Sequence, residues 1–279
     1  MKRIVVGADG SPGSANALRW AAHIATSQEA EIVVMTGFVP TESELPPRRV
    51  EALLGEQQQR LEAWSQAARL GTLQVRTVVE RGDPRDGILK VAEREQANLI
   101  VVGRVGRSAG PGLLHIGSMG EWLAHNSHMP MAIVGGAVNV ATRSVLVGVD
   151  GSPGSRAALD WVADLAKRVD LRVVAAAVHT PYVEWTQPDP DTWRTDVERQ
   201  IREEFADSLI TANVEFDELA LRGSNVADVL LQAAQDERTD VIVVGARGLG
   251  GFSGLRIGGV ALKTLHRADR PVVIIPTTT

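Results

Sequence analysis

Residues 99–118 read LIVVGRVGRSAGPGLLHIGS, and residues 241–259 read VIVVGARGLGGFSGLRIGG. In each, an unbroken apolar run meets a glycine-studded loop. The loops close on Gly117-Ser118 and Gly258-Gly259, each just ahead of a helix-compatible stretch. A strand that delivers glycine-rich backbone to a helix N-terminus is a place for phosphate, because amide N–H groups and the helix dipole converge there.

Working outward, the whole chain repeats. Residues 4–22, IVVGADGSPGSANALRWAA, return as residues 145–163, VLVGVDGSPGSRAALDWVA. Asp9 answers Asp150 and Trp20 answers Trp161 at one offset, and Arg81-Gly82 answers Arg222-Gly223. Two related halves of this length read as tandem domains, residues 1–139 and 143–279, joined near GGAVNVATR. In each half, short β-branched runs alternate with helical spacing. Strands are expected at 4–6, 32–39, 74–79 and 130–134, and again at 145–149, 173–178, 214–219 and 271–275. Helices are expected after Ser11-Pro12 and Ser152-Pro153, over 48–70 and 192–211, and over 84–96 and 225–237. This alternation predicts an α/β chain of two tandem doubly wound, Rossmann-like domains, each a five-stranded parallel sheet with helices on both faces. In such sheets ligands bind at the carboxyl ends of strands where the strand order reverses. Asp9, Gly103, Asp150 and Gly245 all fall at such ends.

Composition narrows the function. At 279 residues, 44% hydrophobic and 23% charged, the chain reads as globular, and its net charge of −5 disfavours nonspecific binding to nucleic acid or an anionic membrane. Absent cysteine removes thiolate nucleophiles, disulfides and cysteine-ligated metals. MKRIVVGADG has too short an apolar run for a signal peptide, and no run approaches bilayer length, so a cytoplasmic chain without membrane insertion is expected. There is no G-x-x-x-x-G-K-[ST] phosphate loop, no G-x-G-x-x-G after the first strand of either half, and no SGGxDS adenylation signature. What remains is G-x2-G, about ten residues, then a closing glycine with Ser118 or Gly259.

On these motifs the chain resembles the universal stress protein family, whose ATP-binding subgroup carries G-x2-G-x9-G-[ST] after the fourth strand and an aspartate after the first. The GADGSPGS and GVDGSPGS starts, the VVGRVG and VVGARG loops and the HMPMAIV and DRPVVII ends carry the likeness over nearly the whole length. The resemblance implies an adenine nucleotide as partner, with ATP and Mg2+ held through the phosphates. Asp9 would then accept from ribose hydroxyls, with Ala8 and Phe38 near adenine and Gly103, Gly106, Gly117 and Ser118 around the phosphates. Val149, Asp150, Val178, Gly245, Gly248, Gly258 and Gly259 would take those places in the second half. Arg104, Arg107 and Arg247 lie in the loops, where they would offset phosphate charge.

Each copy departs from the pattern. The first has ten residues between Gly106 and Gly117, one more than the family spacing, with its serine intact. The second has nine residues between Gly248 and Gly258 but Gly259 in place of a hydroxyl residue, the loss of one phosphate donor. Simpler readings stand beside these: Asp9 and Asp150 as caps of the following turn, Trp20 and Trp161 as core, His125 and His128 as surface groups rather than a metal pair. No second acidic residue is tied to the loop, so hydrolysis of ATP, if any, is expected to be slow. Three functions follow: a nucleotide-linked regulator of stress response or dormancy, a nucleotide-free module that self-associates through residues 130–134 and 271–275, and a slow ATPase.

Overall fold

Ile4, Val5 and Val6 are fully buried, as are Leu99, Ile100 and Val101 and their counterparts Val145, Leu146 and Val147. Consecutive strand residues lose contact with water together only when both faces of the sheet are covered. The computed structural model describes residues 1–40, 46–68, 70–71, 73–106, 116–135, 142–180, 189–250 and 256–277. The chain divides into two compact units, residues 1–123 with 131–140, and residues 124–130 with 141–279. We propose the limits read from the repeat, 1–139 and 143–279, as the domain boundaries.

The first repeat runs β1 (Arg3–Gly7), α1 (Pro12–Gln28), β2 (Glu31–Phe38), α2 (Pro47–Ala67), β3 (Val75–Arg81), α3 (Pro84–Arg94), β4 (Leu99–Gly103), α4 (Ser118–Asn126, whose last residues fall in the second unit) and β5 (Met131–Val134). Its strands are parallel in the order β3-β2-β1-β4-β5, with Ile4 beside Ile32 on one side and Leu99 on the other. The order reverses between β1 and β4, which opens a crevice at their carboxyl ends. Right-handed crossovers place α1 and α2 on one face and α3 and α4 on the other.

The second unit repeats this with β6 (Ser144–Val149), α5 (Pro153–Ala166), β7 (Arg172–His179), α6 (Pro190–Gln200), α7 (Asp207–Thr211), β8 (Phe216–Arg222), α8 (Val226–Asp236), β9 (Val241–Gly245), α9 (Gly259–Arg267) and β10 (Val272–Ile275). Its strand order is β10-β9-β6-β7-β8, again parallel.

Local chemistry explains most boundaries. Ser11 and Ser152 cap α1 and α5 by accepting from the amides of Ser14 and Ser155, with proline at the first helical position. Asp83 caps α3, and the Arg85 guanidinium holds its carboxyl below the usual carboxylate range, a contribution that fades as pH falls. Two expectations shift. The single helix expected over 192–211 is broken: α6 passes into a π-helical turn, Ile201–Phe205, and Ala206 leaves helical geometry at φ −95°, ψ 22° before α7. There Arg202 pairs with Glu218 and lies over the Phe216 ring at 4.8 Å, tertiary contacts that no local pattern encodes. The strand expected from 214 begins at Phe216, because Asn213 turns at φ 55° and the Val214 amide closes on Leu209, ending α7 rather than starting β8. Trp20 is core, as expected, whereas Trp161 is half-buried.

Gln96 follows α3 at φ 52° and its side chain is exposed, so it holds the left-handed region without glycine's freedom. Gln96→Gly is expected to stabilise the protein by about 0.5–1 kcal/mol in urea unfolding.

Candidate functional site

The site of the first unit grows from the reversal of strand order. β1 ends at Gly7, and Ala8 donates its amide to the Met35 carbonyl at 2.8 Å, extending the ladder one residue beyond the strand. The chain then turns through Asp9 and Gly10. Asp9 Oδ1 accepts from the Ser11 amide at 3.0 Å, so one carboxylate oxygen braces the turn that starts α1. Across the crevice β4 ends at Gly103, where an added Cβ would lie 2.5 Å from the Gly13 carbonyl carbon. Gly106 comes so near the Asp9 carboxylate that its Cβ would sit 2.7 Å from Oδ2. Gly103 is demanded by backbone crossing backbone at the joint between β4 and α1, and Gly106 by the Asp9 carboxylate packed against it.

The far end of the loop is fixed by a different bond. The Gly117 amide donates to the Arg104 carbonyl at 2.6 Å, while Arg104 donates its own amide to Val134. α4 then starts at Ser118, and its first helical bond runs from the Glu121 amide to the Gly117 carbonyl. The amides of Ser118, Met119 and Gly120 are thus left without an intrahelical partner and form the positive end of the helix dipole. Gly117 lines the cavity and its amide, bonded to the Arg104 carbonyl, anchors the end of the loop. The first copy has its extra residue between Gly106 and Gly117, and residues 107–115 lie outside the described residues.

Between these joints lies a cavity of about 770 Å³, lined by Ala8, Asp9, Gly103, Gly106, Gly117 and Ser118. Its outer wall, from residues that no sequence motif marked, is Thr36 on β2, Gln57 and Trp64 on α2, Pro84 on α3 and Met119 on α4. Gln57, Leu61 and Trp64 share one face of α2, Leu61 being fully buried beneath the other two. Gln57 reaches Thr36 Oγ1 at 3.4 Å. Phe38, expected at the adenine wall, lies at the end of β2 and does not line the cavity; Thr36, two residues earlier on the same strand, stands there instead. Arg104 is buried with its side chain against Gly135 and does not line the cavity, and Arg107 lies outside the described residues.

The second unit repeats the joint. Asp150 Oδ1 accepts from the Ser152 amide at 3.0 Å and Oδ2 from the Leu249 amide at 2.9 Å. A Cβ on Gly248 would fall 2.3 Å from Asp150 Oδ2, and one on Gly245 2.4 Å from the Gly154 carbonyl carbon. Gly258 donates to the Ala246 carbonyl at 2.7 Å, the same anchor as Gly117, and Ala246 donates to Ile275. α9 begins at Gly259 with no side-chain cap. Val149 is buried at the end of β6 and Val178 half-buried near the end of β7. Arg247 offers its carbonyl to Ser152 Oγ at 3.4 Å.

His125 and His128 are exposed, and among the described residues no group of three His, Cys, Asp or Glu side chains lies close enough to hold a metal ion. A second hollow, about 730 Å³, sits at the amino ends of β7 and β8. Two of its arginines are paired, Arg172 with Asp217 and Glu237 and Arg202 with Glu218. No helix among the described residues is long and apolar enough to cross a membrane.

The model of the universal stress protein family matches residues 1–135 and again residues 141–276. A universal stress protein of Mycolicibacterium smegmatis is 28% identical, covering 98% of this chain and 96% of its own. One of Mycobacterium tuberculosis H37Rv is also 28% identical, covering 97% and 95%. Among solved structures, a universal stress protein from Archaeoglobus fulgidus superposes with a TM-score of 0.70 at 21% identity over 99% of this chain and 98% of that one, a likeness of fold. Matched once in each half and folded in each about the same glycine joint, the chain belongs to the universal stress protein family as a tandem, two-domain member.

Proposed function

We propose that the cavity of the first unit binds an adenine nucleotide, ATP with Mg2+ carried on its phosphates, and that the protein acts in the cytoplasm as a nucleotide-linked regulator of stress response or dormancy. The observation that carries the reading is the convergence, in one cavity of about 770 Å³, of a carboxylate, a glycine-walled turn and the first turn of α4. That volume falls within the range of pockets that enclose a small-molecule ligand. Asp9 stands at the cavity wall, and its carboxylate, which accepts from the Ser11 amide, is the acceptor for the ribose hydroxyls, a carboxylate offering about four lone-pair sites. Ser118 Oγ and the amides at the start of α4 are the donors for the terminal phosphates, and the backbone at Ala8 lies toward the base. The second unit, with Asp150 and the same anchor at Gly258, would take nucleotide more weakly, because Gly259 brings no hydroxyl.

Titration calorimetry with ATP-Mg on the full chain tests this, and absence of binding overturns it. Ser118→Ala is expected to weaken the first site roughly tenfold, as loss of one hydrogen bond to a charged group does. Gly259→Ser should strengthen the second by a similar factor, resolved as a change in the weaker of two binding phases.

A second proposal concerns association. β5 and β10 are the terminal strands of their units' sheets, each paired to one strand of its own unit, β4 and β9. Self-association through residues 130–134 and 271–275 is tested by sedimentation of the wild type against Ile133→Pro and Ile274→Pro.

A further inference from the structure

The glycine after each site aspartate carries an aromatic ring. Gly10 (φ 78°) lies so close to Trp64 that an added Cβ would be 2.5 Å from its indole ring, and Gly151 (φ 75°) lies likewise against Phe205 at 2.7 Å. Trp64 and Phe205 stand at the same repeat offset as Asp9 and Asp150, although one rises from an unbroken α2 and the other from the π-helical turn. The two rings are not equally placed to act. In the second unit Arg156 holds Phe205 in place: it donates to the Gly151 carbonyl at 3.3 Å and the Glu204 carbonyl at 2.7 Å, with its guanidinium 5.8 Å from the ring centre. In the first unit the residue at that position is Ala15, which has no such reach. Trp64 is half-buried and lines the cavity on the side of Asp9.

We propose that Trp64 is a specificity-determining residue of the first site, an indole wall on which the aromatic base of the ligand stacks, so that the site selects nucleotides over phosphate chains without a base. The inference rests on the nucleotide reading above and deepens it. An indole supplies a large flat surface at little cost in side-chain entropy, and base–aromatic stacking is strong enough to separate a nucleotide from tripolyphosphate on its own. Because every base presents a π-face, the same wall leaves the choice among bases to polar neighbours such as Gln57 and Thr36.

The test uses the full chain carrying Asp150→Ala, so that the first site is read, with Trp64→Ala and Trp64→Phe compared for ATP and for inorganic tripolyphosphate by calorimetry and by tryptophan emission. Trp64→Ala should weaken ATP roughly tenfold, Trp64→Phe by no more than about threefold, and tripolyphosphate should be unaffected. ATP should quench the emission of the parent and not that of Trp64→Phe, which retains the five other tryptophans. If ATP binds the parent but Trp64→Ala binds it equally well, or loses tripolyphosphate in the same proportion, the stacking role is overturned and the nucleotide reading stands. If the parent and the unmodified wild type bind no ATP, both fall.

Discussion

Gly103→Ala and Gly13→Ala are each expected to destabilise the first unit by about 3 kcal/mol, the upper part of the range for overpacking. A Cβ on Gly103 would stand 2.5 Å from the Gly13 carbonyl carbon, 2.6 Å from its oxygen and 2.9 Å from the Ser14 nitrogen. A Cβ on Gly13 would stand 2.2 Å from the Val105 carbonyl oxygen. In both cases the obstacle is backbone, so no side-chain rotation relieves it, and the joint opens only if α1 lifts from β4. That joint also forms the floor of the cavity, so binding should fail together with stability. The expected signature is a fall of about 10 °C in the first unfolding transition. Gly55→Ala is the control: it lies inside α2 with nothing within 4 Å of the added Cβ, and should leave stability unchanged or raise it by up to about 1 kcal/mol. A Gly103→Ala protein as stable as wild type would show that α1 does not cross β4 as closely as described.

Asp9→Ala is expected to weaken ATP binding by about a hundredfold in the first site, more than any other single side-chain change proposed for it. A carboxylate that accepts from two ribose hydroxyls loses two charge-assisted bonds at once. The alanine also removes the brace on the Ser11 amide, so Asp9→Asn is the informative companion: its amide oxygen still accepts from Ser11 while the charge is gone. An intermediate affinity for Asp9→Asn, with a melting temperature near that of wild type, separates binding from bracing. The same pair at Asp150 should show losses of similar fold from a weaker starting affinity, so that Asp150→Ala leaves the first site as the one read. Equal affinity in Asp9→Ala and wild type would remove the ribose role. A convenient second readout is the ATP-dependent rise in melting temperature, which follows occupancy of the folded state and should vanish in the Asp9→Ala, Asp150→Ala double variant.

Ser118 and Gly259 show how much of the site could be read in advance. The residue types and their order along the chain already placed a phosphate-compatible helix start after β4 and β9, because glycine spacing and a hydroxyl are local properties. The effect of the extra residue between Gly106 and Gly117 was not local. Only the bond from Gly117 to the Arg104 carbonyl, matched by Gly258 to Ala246, decides that both helices begin from the same anchor. Trp64 was invisible for a related reason. It sits in a polar helix with little periodic signal, more than fifty residues from Asp9 in sequence, and acquires meaning only when α2 is laid over the turn at Gly10. Phe38 differs in the opposite sense: strand alternation puts it on the same face as Thr36, but along β2 the cavity lining runs from Met35 to Gly37.

By itself the sequence determined the duplication, the alternation of strands and helices, the parallel doubly wound class and the position of both aspartates at strand ends. Those follow from side-chain periodicity and turn chemistry, which act over a few residues. The tertiary structure alone decided which glycines are anchors and which are clearances, which side chains wall the cavity, and that the helix expected over 192–211 breaks at Ala206. Those outcomes depend on distances between segments far apart in the chain, and such distances exist only once the sheet has brought the segments together.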